Sequence, residues 1–370
     1  MNIRILYLLA GLALLVKTTA LAFAPIPLEK LYVAVEGEGT VAVFDTASRK
    51  RIATVLLGTG GSSQVAPHNV QVAPDGRSVW VTVNSEDHHG HDKSGDKPQG
   101  SAHEAASGQA IDEVVVINPE TDVIERRIPL GTGLHLAHVA LAPDSLSAYV
   151  TAQNTGTIYK IDAKTFKVQK LIAAPSNSQP HGLRIAGDGS HAYIALLNGK
   201  GLGKLNLQTD KLEVLALAGA AVQTAVTPNS RIVAVSLYDS KQLAIYDTNS
   251  GALHNIPLPN NAKGPVQLYP TPDNRYLYVA DQGHYFNQPD GQWIYKVDLQ
   301  QGKVIRTIKA GNAPHGIVIA KNGRYAYVSN LVSNDVSIID LKTDEEIARL
   351  PVGQAPNGIS IWNKHEGGTP

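Results

Sequence analysis

Short stretches of alternating apolar and polar residues cover most of the chain, and turn-forming residues separate them at close intervals. The segments 114–130 and 336–352 each contain two such stretches, joined by a turn that includes Thr-Asp. Alternation over four to eight residues is typical of β-strands with one buried face. The pattern therefore predicts an all-β chain built from short antiparallel strands.

One sequence motif recurs along the chain and sets the period of this pattern. Its copies lie at 66–82, 136–151, 179–195, 222–236, 266–280, 313–329 and, truncated, 355–362. Aligned residues of successive copies are separated by 69, 44, 41, 44, 49 and 42 residues. A unit of four short strands repeated every 40–45 residues is typical of a β-propeller blade.

The seven copies predict seven four-stranded antiparallel blades. Strands at 31–35, 40–45 and 51–57 open the chain without a first strand, and a lone first strand at 357–362 closes it. The N- and C-terminal strands can therefore complete one blade together, which removes sheet edges that promote aggregation. We expect a single seven-bladed β-propeller over residues 31–362, with a C-terminal tail at 363–370.

The repeat also has a recognisable sequence. Residues 313–330 read APHGIVIAKNGRYAYVSN, and VSIID follows the next turn at 336–340. These residues resemble the YVTN-type β-propeller repeat. The three tryptophans are not followed by Asp, unlike those of Trp-Asp repeats, and no Trp-docking motif of the quinoprotein dehydrogenases recurs. The resemblance implies an exported seven-bladed propeller, a fold that serves binding proteins and enzymes alike.

The N-terminal segment predicts export. Arg4 precedes an apolar run of twelve residues at 5–16, and small residues follow at Ala22 and Ala24. This is the arrangement of a secretory signal peptide, predicted to comprise residues 1–22, with cleavage after residue 24 as the alternative. No later segment is long and apolar enough to span a bilayer. We expect a periplasmic or secreted protein without a membrane span after signal removal.

Composition excludes several classes of function. The 32 basic residues balance 32 acidic ones, so the chain lacks the electrostatic footprint of a nucleic-acid-binding protein. Cysteine is absent, which excludes disulfides, thiolate ligands and cysteine nucleophiles. There is no Gly-x-Ser-x-Gly motif, and the glycines at 199–203 precede no helix, so no nucleotide cofactor is expected. Catalytic residues cannot be assigned from the sequence.

Four of the thirteen histidines fall at the start of first strands. His68, His181 and His315 occupy one aligned position, and His138 lies one position later in its own blade, with His135 just upstream. First strands line the central channel of a propeller, so these imidazoles are predicted to project toward one channel mouth. The alternative is structural, with each imidazole bonded to the backbone of a neighbouring blade.

A long insertion, 84–112, separates the second and third strands of the first complete blade. Loops at this position emerge on the same face as the channel mouth. Acidic residues alternate in it with four histidines: His88, His89, His91 and His103. They are candidate metal ligands at the mouth, but a flexible polar loop without a ligand role would have the same composition.

The loop 281–292 is the second longest insertion and reaches the same face. It contributes His284 as a further candidate ligand, together with Tyr285. Glu36 and Glu38 lie in the corresponding loop of the closing blade and could act as ligands or as a general base. Ordinary solvated carboxylates are the alternative. The repeated Asp residues of the hairpins are expected to form turns.

Imidazoles with interspersed carboxylates suit zinc, copper, nickel or iron. The chain is also similar to copper-binding propellers, namely the catalytic domain of nitrous oxide reductase and thiocyanate dehydrogenase, whose ligands are histidines at the inner ends of blades. Three blades depart from that pattern, with Val222, Val266 and Asn357 at the aligned position. No cupredoxin-like domain follows. The resemblance therefore implies a mononuclear or dinuclear site.

Three functions fit these observations. The first is an exported binding protein for a transition metal, with copper favoured, or for a small ligand held through such a metal. The second is a metal-dependent periplasmic oxidoreductase of the copper-propeller kind, which would need a redox partner. The third is a non-enzymatic scaffold for an envelope protein partner. Replacement of the four channel histidines would abolish the first two functions and leave the third intact.

Overall fold

The computed structural model describes residues 26–58, 65–85 and 111–364. These residues form seven four-stranded antiparallel sheets arranged as the blades of a propeller. Blade 1 consists of four strands: β4 (Val65–Val72), β5 (Val79–Ser85), β6 (Asp112–Asn118) and β7 (Val123–Gly131). Blade 7 combines the two ends of the chain in four strands: β28 (Pro356–Asn363), β1 (Glu29–Val35), β2 (Thr40–Asp45) and β3 (Lys50–Leu56).

The other five blades follow in chain order. Blades 2 and 3 comprise β8 (Leu136–Leu141), β9 (Ser147–Ala152), β10 (Thr157–Asp162), β11 (Val168–Ala173), β12 (Pro180–Ile185), β13 (His191–Leu196), β14 (Gly201–Asn206) and β15 (Leu212–Ala216). Blades 4 and 5 comprise β16 (Ala221–Val226), β17 (Ile232–Leu237), β18 (Gln242–Asp247), β19 (Leu253–Pro257), β20 (Pro265–Pro270), β21 (Tyr276–Asp281), β22 (Trp293–Asp298) and β23 (Lys303–Lys309). Blade 6 comprises β24 (Pro314–Ile319), β25 (Tyr325–Asn330), β26 (Asp335–Asp340) and β27 (Glu345–Pro351).

The prediction of a seven-bladed propeller with a shared closing blade is confirmed. The strand β28 pairs antiparallel with β1, so that Leu31 faces Ile361 and Val33 faces Ile359. Each blade's first strand contacts the first strands of both neighbouring blades, and the circle closes from β28 to β4. The described residues include short 3-10 turns at Glu36–Glu38 and His284–Phe286. No helix among the described residues is long and apolar enough to span a bilayer.

The hairpin turns follow the predicted chemistry. The carboxylates of Asp75, Asp144, Asp188 and Asp273 each accept a hydrogen bond from the backbone amide two residues later. Each side chain thereby satisfies a polar group of its own turn. The prediction that these aspartates form turns is confirmed.

Recurrent side-chain contacts hold neighbouring blades together. The buried Lys30 amine of blade 7 lies 2.7 Å from the Asp122 carboxylate of blade 1, which also accepts a hydrogen bond from Tyr32. Lys160 with Asp210, and Lys296 with Asp344, repeat the ion pair between later blades, at 2.9 Å in both cases. Paired burial of this kind makes loss of one partner costly, because the other charge is left without compensation.

Ring closure depends on the packing of the last strand. The Trp362 side chain is buried, and its indole nitrogen donates a hydrogen bond to the Gly76 carbonyl of blade 1 at 2.6 Å. We expect Trp362→Ala to lower the free energy of unfolding by about 3–5 kcal/mol, as for other buried Trp truncations. Denaturant unfolding followed by circular dichroism measures this loss. Leu253→Ala, at an exposed position of an outer strand, is the control. Equal unfolding midpoints for the two variants would contradict the assigned role of Trp362.

Candidate functional site

A β-bulge near the start of every first strand places side chains in the channel. In blades 1 to 6 the pairing register between the first and second strands shifts across two aligned residues, which in blade 1 lie between Pro67 and Val70. Blade 7 has the corresponding irregularity between β28 and β1. A bulge adds a residue and redirects nearby side chains. Either of the two bulge residues can therefore face the centre.

Each bulge contributes a polar side chain to a contiguous group that we call the polar ring. Its members are buried, one from each blade in chain order: His68, His138, His181, Gln223, Gln267, His315 and Asn357. In blades 1, 3, 6 and 7 the member occupies the first bulge position. In blades 2, 4 and 5 it occupies the second position, behind Ala137, Val222 and Val266. Buried polar groups at this density require mutual hydrogen bonds.

Glycine at the second bulge position keeps adjacent blades in contact. A Cβ atom added to Gly182 would lie 2.2 Å from the Gln223 Oε1 atom, and one added to Gly316 would lie 2.5 Å from the Asn357 carbonyl oxygen. Neither substitution could be accommodated without displacing the neighbouring strand. In the Pro-His-Gly sequence, glycine is therefore explained by the close packing of the neighbouring strand. Histidine is explained by its position facing the channel.

The imidazoles of three successive blades lie within reach of one another. The ring centroids of His68 and His181 are 5.8 Å apart, those of His138 and His181 are 5.3 Å apart, and those of His68 and His138 are 6.1 Å apart. One ring nitrogen from each can be chosen so that all three lie within 4.8 Å of one another. His68, His138 and His181, which we call the histidine triad, form the group in the described chain that could hold a metal ion.

The predicted fourth histidine, His315, borders the triad. Its ring centroid lies 6.3 Å from that of His68, and its Nδ1 atom lies 2.6 Å from the Gln282 side-chain nitrogen. With the Gln282 amide donating, Nδ1 is the acceptor and Nε2 carries the proton of the neutral ring. In this arrangement His315 does not offer a lone pair to the centre.

Hydrogen bonds fix the orientation of His181. Its Nδ1 atom lies 2.9 Å from the Val222 carbonyl oxygen of the next blade. Because a carbonyl only accepts, Nδ1 must carry a proton, so in the neutral ring the lone pair is on Nε2. The contact with a neighbouring backbone is the one expected for a structural histidine, and it is also the outer contact that orients ligating histidines.

Glutamine side chains close the ring on the far side of the channel. The Gln223 amide nitrogen lies 3.2 Å from His138 Nε2 and donates to Gln267 Oε1 at 2.8 Å. These contacts join blades 2, 4 and 5 across the channel. Both glutamines differ from the sequence prediction, because their blades carry valine at the first bulge position, where the repeat aligns His68, His181 and His315. The two glutamines lie one residue later, at the position that His138 occupies in its own blade.

Burial keeps His138 and His315 neutral. Burial, assisted by the charges of His181, Arg184 and neighbouring histidines, holds the pKa of His138 well below its usual range. Burial chiefly, with His181 second, lowers the pKa of His315 to about 3. Neutral imidazole is the form that binds transition metals. Near pH 7 these two rings are therefore uncharged.

Glu36 and Tyr285 form the outer wall of the channel mouth. The Tyr285 hydroxyl donates to Glu36 Oε2 at 3.2 Å, and the Asn357 amide donates to the same oxygen at 2.6 Å. The His68 Nδ1 atom lies 4.0 Å from it. Burial and the Glu36 charge raise the pKa of Tyr285 well above its usual range, so the phenol remains protonated. The prediction that Glu36 faces the mouth agrees with this geometry.

The loop after β21 is fixed in place and directs Tyr285 inward. The buried Asp281 carboxylate accepts hydrogen bonds from the Lys263 and Gly264 amides and from the Tyr295 hydroxyl. Phe286 stacks on Tyr238 with centroids 3.6 Å apart. Asp281 thus has a structural role, and Tyr285, whose centroid lies 5.6 Å from that of His315, belongs to the site.

The remaining sequence candidates differ in where they lie. His284 Nδ1 lies 2.7 Å from the Asp290 carboxylate, and His284 is not part of the histidine triad. Glu38 accepts a hydrogen bond from the Gln354 amide at the rim. His135 approaches the site, with its centroid 5.9 Å from that of His68. The insertion candidates fall outside the described residues: His88, His89, His91 and His103.

A cavity of about 480 Å³ opens beside these groups at the mouth. Glu36, His284 and Tyr285 line it together with residues of the blade 6 and blade 7 loops, including Leu331 and Ala355. This volume lies within the range of small-molecule sites. The mouth can therefore admit a small ligand next to the polar ring.

Comparison with known proteins identifies the family. The model of the YNCE-like beta-propeller family matches residues 102–367, most of the chain. The chain belongs to the YNCE-like β-propeller family. This agrees with the resemblance to the YVTN-type repeat. A comparison with functionally curated proteins finds no match.

Solved structures share the fold of this YNCE-like propeller at low sequence identity. Hydrazine synthase of Kuenenia stuttgartiensis is 15% identical with a TM-score of 0.64, over 81% of this chain and 96% of that one. Virginiamycin B lyase from Staphylococcus aureus is 15% identical with a TM-score of 0.63, over 82% and 94%. Dihydro-heme d1 dehydrogenase is 19% identical with a TM-score of 0.59, over 90% of this chain and 66% of that one. Such diverse relatives establish the architecture alone.

The lowered histidine pKa values predict a specific loss of stability in acid. In unfolded chains histidine titrates near pH 6.5. Below that pH the unfolded state therefore binds protons that the buried rings of the folded state do not bind. For each of His138 and His315, the loss between pH 6.5 and pH 5 is on the order of 2 kcal/mol. Urea unfolding of chelator-treated protein across this range measures it.

Asparagine, the residue that blade 7 carries at this ring position, is the matched replacement for His315. Between pH 6.5 and pH 5 the wild type is expected to lose stability through both His138 and His315. We expect His315→Asn to lose roughly half as much stability from this source. His254→Asn, at an exposed position of β19, is the control for the loss of one histidine. Indistinguishable pH profiles for the wild type and His315→Asn would contradict this assignment.

Proposed function

We propose that this protein binds one transition-metal ion in the propeller channel, through the histidine triad. The proposal rests on the mutual separation of at most 4.8 Å between one ring nitrogen of each of His68, His138 and His181. A point no more than about 2.8 Å from all three atoms therefore exists, whereas zinc–imidazole bonds measure about 2.0–2.1 Å. Small rotations of the three rings would bring them to bonding distance.

The protonation state of the site supports the same proposal. Burial disfavours the imidazolium form of His138, so a metal ion does not have to displace a proton from this ring near pH 7. The hydrogen bond from His181 to the Val222 carbonyl orients Nε2 as a potential ligand. Three histidines that lie on strands of three different blades give the site a rigid frame.

The ligand set narrows the choice of metal. Three imidazole nitrogens suit copper, zinc, nickel or iron, and the described chain offers no thiolate or thioether near them. We favour copper. The copper-propeller resemblance and the predicted signal peptide, residues 1–22, suggest a protein of the periplasm or the exterior. This location is a proposal as well, because the signal segment lies outside the described residues.

Metal content measured by plasma mass spectrometry tests the proposal. Protein purified without a histidine tag is stripped with a chelator and then titrated separately with Cu(I), Cu(II) and Zn(II) against a competing chelator. We expect one equivalent to bind the wild type. A triple variant, His68→Asn, His138→Gln and His181→Asn, uses residue types that other blades carry in the polar ring. We expect its affinity to fall at least about 100-fold, because even loss of an outer-shell contact costs 10–100-fold.

Two control variants make this result specific. His254→Asn removes an exposed histidine of an outer strand and should bind metal like the wild type. A second variant replaces the insertion histidines with asparagine: His88, His89, His91 and His103. Full binding by that variant supports the channel site. A metal-free wild type, or binding that disappears only with the insertion histidines, would overturn the proposal, provided that circular dichroism shows each variant folded.

A second function, catalysis on a small molecule, is favoured by one observation. The 480 Å³ mouth cavity adjoins the Glu36 carboxylate, which lies 4.0 Å from His68. Catalytic metal sites keep a coordination position open to such a cavity, whereas structural sites are closed. The protonated Tyr285 donates to Glu36 and would hold that carboxylate at the edge of the cavity. Redox chemistry would still require a separate electron-transfer partner.

Azide distinguishes an open metal site from a closed one. If the metal faces the cavity, azide added to the Cu(II)-loaded protein is expected to bind the copper and produce a new charge-transfer absorption band. The triple variant with added Cu(II) is the control. An unchanged spectrum at saturating azide would indicate a closed site, which would exclude the catalytic proposal and leave metal binding as the function.

A further inference from the structure

A second cavity lies at the opposite end of the channel from the mouth. It has a volume of about 530 Å³ and is lined by the last residues of six first strands and the turns that follow them. We call it the distal cavity. Its polar lining groups are Gln71, Arg184, Tyr269, Lys321, Ser360 and Asn363. Apolar side chains such as Ile185, Leu268 and Val318 form much of the remaining wall.

The charged residues that line the distal cavity are all positive. Arg184 and Lys321 are both cationic, and no aspartate or glutamate is among the lining residues. Arg184 donates a hydrogen bond to the Leu183 carbonyl at 2.9 Å, yet no carboxylate of the described chain lies within ion-pair distance of its guanidinium. Lys30 and Lys160, in contrast, each pair with an aspartate. Burying a cation without an anion is unfavourable.

The aspartates of the surrounding turns do not supply the missing charge. Asp75, Asp188 and Asp273 follow or precede lining residues, but each accepts a hydrogen bond from the backbone of its own turn. Tyr269 and His138 are titratable side chains that interact with Arg184. Burial raises the pKa of Tyr269 and lowers that of His138, so both remain neutral. The surroundings of Arg184 thus offer donors and a positive charge.

We propose that the distal cavity binds a small organic anion, with its oxyanion head on the Arg184 guanidinium and its apolar part against the cavity wall. The planar guanidinium matches carboxylate, sulfonate or phosphate oxygens in pairs. The volume is that of a small-molecule site. This site is separate from the metal site, because it involves the far ends of the first strands and none of the histidine triad.

The fluorescent probe 8-anilinonaphthalene-1-sulfonate tests this proposal, since it joins an apolar body to an anionic head. Full-length protein is titrated with the probe, and with N-phenyl-1-naphthylamine, which lacks the sulfonate. We expect the anionic probe to bind at least ten-fold more tightly. We expect Arg184→Gln to abolish that preference, and Arg306→Gln, on the exposed outer strand β23, to retain it.

Competition identifies which part of the ligand matters. Hexanoate should displace the probe, hexanol should not, and sulfate should displace it only at higher concentration if the apolar wall contributes. Equal displacement by sulfate and hexanoate would indicate an inorganic oxyanion site instead. Equal binding of both probes by the wild type, or probe binding unaffected by Arg184→Gln, would overturn the proposal.

A further variant covers the case in which Arg184→Gln does not fold. Arg184→Lys keeps the charge and loses the paired donors, so weaker probe binding with a native circular dichroism spectrum is expected. Hexanoate should also raise the melting temperature of the wild type more than that of Arg184→Lys. The same shift in both proteins would count against a role for the guanidinium. Metal is first removed with a chelator, and the chelator is dialysed away before each titration, so neither bound metal nor an anionic chelator can produce either result.

Discussion

The structure depends on how seven first strands close around a narrow channel. Each strand carries a bulge near its start, and each bulge must direct a side chain into the shared space. Glycine occupies the second bulge position where the neighbouring strand leaves no room for a Cβ atom, as at Gly182. Polar side chains placed there are removed from water and have to satisfy one another. The polar ring is the result of this constraint.

This arrangement also determines the electrostatics of the channel. Burial suppresses protonation of His138 and His315, so these rings remain neutral donors and acceptors. The charge of Arg184 also contributes to the lowered pKa of His138. A metal ion would bind to nitrogen lone pairs of the histidine triad. An anion would compensate the positive charge of Arg184.

The sequence predicted the fold well because blade structure is local and repeated. Strand alternation, hairpin aspartates and the unmatched strands at 31–35 and 357–362 were sufficient to define seven blades and their closure. Three of the site histidines followed from the aligned position, and His138 from its neighbour. Gln223 and Gln267 were missed because a bulge lets either of two residues face the channel, and alignment alone does not show which. The orientation of His284 depended on its contact with Asp290, which spacing does not encode.

The most direct test of metal binding in the channel is a crystal structure of the copper-loaded protein with diffraction data collected on both sides of the copper absorption edge. We expect one strong anomalous peak, about 2 Å from a ring nitrogen of each of His68, His138 and His181. Such a peak would establish the site and show whether a coordination position faces the mouth. A peak elsewhere, or none in the channel while Gln223 and Gln267 still bond to His138, would contradict the account and leave the polar ring as a structural network.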